Sequence, residues 1–447
     1  MRCNNERSSR HVLLDVSLIL ASTVLLLLTA TGSVSLAQNP RMSYTDLEGR
    51  SINMGPEGRW RKARPTVGHT GMTPAQRQEA ERLRSIGYLS GSTPAPSSSG
   101  VTVYDRDAAQ PGVNLYNSGH HAGAILMTMD GDILHEWECP FLRAFPDSFA
   151  DSENDGSEYW RFVHLFENGD VLAVFEGLGL VKLDKDSNIL WVHPGEEHHA
   201  LRIADDGTIY TLTRKAHILP EINSASPVLE DYITLLDPNG NELRSISVLD
   251  AFVQSRFENA LIVFGMRQTG DLFHTNDIEI LDGSLADRMP AFKKGNVLIS
   301  LRQINLLAVV DMHYEEVMWV CAGMWIAQHD PTFLPNGNIL LFDNKGYGRK
   351  SKVLEFDPLT FDVPWSYCSS ADPPFYSQMC GAAQRLPNGN TLITESDYGR
   401  AFEVTPENRI VWEFINPERA GKEDDLIATL FEVKRIDPGS LGGWLDR

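Results

Sequence analysis

Three histidines recur at one position of a repeated hairpin, and that position is where chemistry can be assembled. Hairpin turns at Asn168-Gly169, Asp206-Gly207, Asn336-Gly337 and Asn388-Gly389 follow apolar strands, and Pro438-Gly439 ends the last one. Eight residues before each turn glycine stand Arg161, His199, His329, Gly381 and Phe431. A further strand with a longer hairpin opens on His274-Thr275-Asn276-Asp277, so three such strands begin with histidine in a chain that has only 13. An imidazole can attack as a nucleophile or carry a proton at neutral pH. Arg302, closing the run Val297–Arg302, adds a guanidinium. Asn276 adds an amide. Together these groups make a cationic, donor-rich pocket of the kind a sulfate or phosphate ester requires. Trp325, Phe375 and Tyr376 lie near the same positions in sequence and add aromatic faces.

Such a set works only if the chain returns each strand to one place. Asn-Gly and Asp-Gly between apolar runs are strong hairpin signals, because both central residues take positive φ. A second hairpin follows each of the first type and usually ends in tryptophan: Trp191, Trp319, Trp365, Trp412, and Trp137 in the first unit. Two hairpins are four strands, one propeller blade, repeated here every ~40–60 residues. Five units are complete. A sixth, Val113 to Trp137, lacks its innermost strand, which Phe431–Ile436 supplies from the other end of the chain. The expected fold is therefore all-β: a six-bladed β-propeller over residues 101–447, closed by the C-terminal strand. The repeating tryptophans are expected to pack between blades, and Asp330, Asp343 and Asp397 to cap turns.

The flanking sequence and the charge narrow the setting. Residues 1–37 have the layout of a signal peptide: Arg2, Arg7 and Arg10, an apolar run from Val16 to Ala30, then Ser35-Leu36-Ala37. That run is short for a spanning helix of ~20 residues, although a retained signal anchor is the alternative. Export to the periplasm or beyond is expected, with no membrane association after cleavage. Residues 38–100 read as a flexible Pro/Gly/Ser-rich tether holding one short solvated helix, with Thr73 as N-cap and Pro74 in the first turn. The net charge of −21, from 39 basic and 60 acidic residues, argues against nucleic-acid partners. Once Cys3 leaves with the signal, Cys139, Cys321, Cys368 and Cys380 remain. Cys368 and Cys380 flank one loop and are the first candidates for a disulfide.

Several strings resemble the arylsulfate sulfotransferase family: His198-His199-Ala200, His274-Thr275-Asn276-Asp277, Leu298–Arg302 and Gln328-His329-Asp330. Leu334-Pro335-Asn336-Gly337-Asn338 through Asn344, and Gly381 through Ser396, extend the likeness. It covers roughly residues 101–447. The resemblance implies a six-bladed bacterial periplasmic enzyme that moves a sulfuryl group from an aryl sulfate donor to a phenolic acceptor, with no nucleotide donor, cofactor or metal. It implies that His329 is transiently sulfated, that His274, Asn276 and Arg302 bind sulfuryl oxygens, and that His199 is a further active-site histidine; with that chemistry, Trp325, Phe375 and Tyr376 are the residues expected to stack on the aryl group.

Three other functions fit parts of the pattern. The histidines can hold a divalent metal in a hydrolase or lyase. The propeller can be a non-catalytic ligand-binding scaffold. A sulfuryl or phosphoryl ester can be hydrolysed with water as acceptor. No P-loop, dinucleotide fingerprint or serine elbow is present to support nucleotide or α/β-hydrolase chemistry.

Overall fold

Alternating apolar runs broken by glycine turns fold into antiparallel hairpins, and hairpins accumulate into sheets. The computed structural model describes residues 43–45, 51–54, 60–62, 66–84, 90–148, 155–346, 348–369, 374–421 and 423–446. The signal-peptide expectation for residues 1–37 lies outside them. The protein is all-β, and among the described residues six mainly antiparallel sheets of at least four strands succeed one another. The second runs Phe162–Leu165, Val171–Phe175, Gly179–Leu183, Ile189–His193, and the third Glu197–Ile203, Ile209–Leu219, Asn223–Leu236, Glu242–Ser247. The fourth is Thr275–Ile280, Val297–Leu301, Leu306–Asp311, Glu316–Ala322, and the fifth His329–Phe333, Ile339–Asp343, Lys352–Phe356, Trp365–Tyr367. The sixth is Ala382–Arg385, Thr391–Glu395, Arg400–Val404, Ile410–Ile415. The first sheet combines both ends of the repeat: Leu430–Ile436 pairs antiparallel with Val113–Ser118, followed by Gly123–Met127 and Ile133–Glu138.

Tryptophans at the ends of the second hairpins tie several of the sheets to the next. Trp137 Nε1 donates to the Gly169 carbonyl at 3.0 Å, Trp365 Nε1 to Pro406 at 3.1 Å, and Trp412 Nε1 to Met129 at 2.9 Å. The last of these joins the sixth sheet to the first. Trp191 lies against Gly240, whose φ is +82° and where a Cβ would stand 2.8 Å from the indole. The turn and the contact both require glycine there. Apolar residues between sheets form the core; Leu172, Leu201, Leu212, Ile233, Ile278 and Ile299 belong to one cluster running from the second sheet to the fourth.

Part of the segment read as a tether is structured. Ser43–Thr45, Ser51–Met54 and Trp60–Lys62 form a three-stranded sheet, Gly91–Pro94 pairs with Leu426–Ala428, and Gly100–Tyr104 adds an edge strand to the sixth sheet. The helix Pro74–Arg84 forms with the anticipated cap: Thr73 Oγ1 accepts from Gln76 N at 3.3 Å, and Gln76 Oε1 accepts from Thr73 N at 2.9 Å. It is not wholly solvated, because Ala80 and Leu83 are buried against Ala216, Ile218 and Leu229. A small apolar stripe was enough to dock it, and the charge-rich composition concealed that stripe. The expected Cys368–Cys380 disulfide is absent. Cys368 is exposed, whereas Cys380 is buried in a cluster with Tyr159 and Phe431, so the two thiols occupy different environments.

Candidate active site

The first strands of the third, fourth and fifth sheets share one irregularity. Their pairing registers shift between His198 and Leu201, between Thr275 and Asp277, and between His329 and Thr332. At those bulges His199, His274 and Asp330 take positive φ of 60°, 50° and 50°. A bulge re-aims the side chains beside it, and left-handed non-glycine residues cost roughly 1–3 kcal/mol each. Carboxylates hold the strained backbone. Glu176 Oε2 accepts from His199 N at 3.0 Å, Asp271 Oδ1 from His274 N at 2.8 Å, and Asp231 Oδ2 from Thr275 N at 2.7 Å.

The bulges surround one cavity. Arg161, His199, His329, Gly381 and Phe431, the five residues aligned by the turn register, all line it, together with Phe162, Arg202, Asn276, Asp277 and Asp330. Gly381 interrupts the row of large side chains because a Cβ there would stand 2.6 Å from the Phe342 ring. His274 sits behind His199, the two rings meeting edge to face. Its Nδ1 is 2.8 Å from Asp271 Oδ2. Arg302, half-buried at the end of Val297–Leu301, donates its backbone N–H to the His274 carbonyl at 3.2 Å, and its Nε has no hydrogen-bond partner.

His198, His199 and His329 are all buried. Burial holds each imidazole well below its ordinary pKa, so all three are neutral; neighbouring basic side chains add to this, Arg214 for His198, His274 for His199 and Arg302 for His329. His198 Nδ1 lies 2.7 Å from His199 Nδ1, so one of the pair donates and the other accepts. His199 lines the cavity, and His198 stands behind it, joined to it by this bond. Asn276 uses Nδ2 to donate to the Gln328 carbonyl at 2.7 Å and leaves Oδ1 buried without a partner. The amide therefore offers the cavity an acceptor as well as its remaining N–H.

None of the three expected aryl-binding residues lines the cavity. Trp325 packs on Phe356 at a centroid distance of 5.2 Å and donates Nε1 to the Asn305 carbonyl at 3.1 Å, inside a core cluster. Phe375 is enclosed by Phe342, Tyr367 and Phe402. Tyr376 is half-buried, its hydroxyl donating to Gln378 Oε1 at 3.2 Å, and it does not line the cavity. The aromatic faces that do are Phe162 and Phe431, the latter with the Arg161 guanidinium 5.3 Å over its ring. Phe431 and Arg161 were visible in the turn register without a role attached; Phe162 follows Arg161 and carried no signal of its own.

The three aspartates expected to cap turns instead accept from backbone N–H groups of segments distant in sequence. Asp330 Oδ2 accepts from Ala383 N at 2.7 Å, Asp343 Oδ1 from Ile326 N at 2.8 Å, and Asp397 Oδ2 from Gln378 N at 2.7 Å. Glu176, His198 and His199 present ligand atoms within 4.8 Å of one another, the spacing of a metal centre. Arg214, 3.5 Å from Glu176 Oε1, opposes a cation there, and the two imidazoles already bond to each other.

An all-β frame that buries histidines and arginines around one cavity defines an enzyme class in which the strands position and the cavity acts. Residues 163–417 match the arylsulfotransferase (ASST) family, and the chain belongs to that family and carries its catalytic domain. No curated protein matches the chain. Similar solved structures include a Bacteroides caccae protein of unknown function, at 13% identity and a TM-score of 0.46 over 72% of this chain and 98% of that one. A streptogramin B lyase is 12% identical, with a TM-score of 0.40 over 78% and 97%. The Dos1 propeller is 13% identical, with a TM-score of 0.38 over 75% and 77%.

Proposed function

We propose that the protein is an arylsulfate sulfotransferase that needs no nucleotide donor and works by a ping-pong route through a sulfo-histidine on His329. One observation carries the reading: His329 is buried and neutral in a cavity, and its Nε2 has no hydrogen-bond partner. In the first half-reaction a ring nitrogen of His329 attacks sulfur. The N–S bond forms, the S–O bond to the aryl group breaks, and the electron pair leaves as phenolate. His199, His274 and Asn276 together with Arg302 are assigned to proton transfer and to the sulfuryl oxygens; a preorganised donor of this kind typically contributes ~3–4 kcal/mol. In the second half-reaction a phenol oxygen attacks sulfur, its proton passes to His199, and the N–S bond breaks. Phe162 and Phe431 supply the aryl contacts in place of Trp325 and Phe375.

In this reading the six sheets are blades of one propeller, Leu430–Ile436 closes it, and residues 1–37 export the protein to the periplasm or beyond. The test is release of phenolate from an aryl sulfate such as 4-nitrophenyl sulfate, with and without a second phenol. Release is expected to accelerate with added phenol, and His329→Ala is expected to abolish both release and an acid-labile sulfuryl adduct. Release indifferent to phenol replaces transfer by hydrolysis; full turnover by His329→Ala removes the nucleophile assignment.

The cluster of Glu176, His198 and His199 supports a second reading, a metal-dependent hydrolase or lyase. Stoichiometric zinc in the purified protein, lost in His199→Ala together with activity, would favour it.

A further inference from the structure

Asn344 follows the strand Ile339–Asp343 and is fully buried. Its Oδ1 lies 2.7 Å from His329 Nδ1. Its Nδ2 donates to two backbone carbonyls, Ser377 at 2.8 Å and Cys380 at 3.0 Å. A carbonyl can only accept. Turning the amide round would place Oδ1 against both carbonyl oxygens, so the observed orientation is fixed and Oδ1 must face the imidazole.

His329 Nδ1 has a second neighbour, the carbonyl of Ala327 at 3.2 Å. Nδ1 therefore meets two acceptors and must carry a hydrogen. Burial, followed by the charge of Arg302, keeps the ring neutral, so it has a single N–H. The lone pair is then on Nε2, the buried nitrogen without a partner.

We infer that Asn344 is a positioning residue, which fixes His329 as its Nδ1–H tautomer and makes Nε2 the attacking atom. The consequence for rate rests on the sulfuryl-transfer reading, but the tautomer belongs to the resting protein and stands without it. When Nε2 bonds to sulfur the ring becomes cationic while Nδ1 keeps its hydrogen, and the Nδ1–H to Oδ1 bond becomes charge-assisted. An amide oxygen, unlike a carboxylate, can strengthen that bond without taking the proton. Orienting a histidine through its far nitrogen is the general way a protein selects the reactive one.

The decisive measurement is a long-range proton–nitrogen NMR spectrum of the substrate-free protein, with His329 assigned by its loss in His329→Gln. The expected result is a pyrrole-type Nδ1 and a pyridine-type Nε2; the reverse pattern, or fast averaging of the two, overturns the inference. Asn344→Leu should bring that averaging about and slow the phenolate burst at least tenfold, with KM nearly unchanged. Asn344→Asp, which retains an acceptor, should keep the Nδ1–H signature. If neither variant folds, the wild-type spectrum alone decides. An Nδ1–H spectrum in a protein that transfers no sulfuryl group would keep the inference and reject the proposed reaction.

Discussion

The imidazole rings of His199 and His274 meet edge to face with their centroids 4.9 Å apart. Burial, then the proximity of His274, holds His199 well below the ordinary histidine value of about 6.5. Its ring signals should therefore not titrate through pH 6.5 in the folded protein. In His274→Leu the His199 midpoint should move upward, because the neighbouring imidazole that disfavours a charge on His199 has gone, yet stay under 6.5, because burial remains. A wild-type midpoint at or above 6.5 by histidine NMR would contradict the site's electrostatics.

Trp325 is expected to matter for folding and not for substrate. Trp325→Ala removes a buried ring from the cluster around Phe356 and should destabilise the protein by ~3–5 kcal/mol. The KM of the folded fraction for an aryl sulfate should not change. Phe431→Leu, which alters the cavity wall, should raise KM. Denaturant melts and steady-state kinetics on the two variants separate these effects.

Asp330 is raised to about 8 by burial and then by its acidic neighbours Asp277 and Glu432. The folded protein thus holds a proton that the unfolded chain releases near pH 3.9. Its contribution to stability is complete below about pH 4 and is lost as pH rises through about 8. Asn cannot ionise and can still accept from Ala383 N. The stability of Asp330→Asn relative to wild type should therefore grow between pH 4 and pH 8. A constant difference over that range, in denaturant titrations, would show Asp330 to be ionised in the folded state.

A buried ion pair ties the last strand, which belongs to the first sheet, to the sixth sheet. Arg435 Nη1 lies 2.9 Å from Glu403 Oε2, and both side chains are almost wholly enclosed. Arg435→Ala leaves Glu403 buried without its cation and should cost ~3–5 kcal/mol. Replacing both residues by apolar side chains of similar volume should recover much of that loss. Equal instability of the single and double variants in thermal melts would mean that the strand depends on other contacts.

Much of the site was legible because a repeat makes position predictable. Counting back from the turn glycines aligned Arg161, His199, His329, Gly381 and Phe431, and all five line one cavity. The all-β class and the family were likewise legible, since both are carried by strand period and local strings. Other features depend on contacts between residues far apart in sequence. Nearness in sequence suggested Trp325 and Phe375 as cavity walls, but each side chain points into a core cluster. The partnership of His198 with His199 required the bulge that turns both rings inward. Asn344 carried no catalytic signal, because an asparagine after a strand is common. Only the carbonyls of Ser377 and Cys380, brought beside it by the neighbouring loop, fix which way its amide faces and so which nitrogen of His329 is left free. Sequence by itself determined the period, and with it the residues that share a cavity. Tertiary structure decided their orientation, because a hydrogen bond's direction depends on partners that no local pattern names.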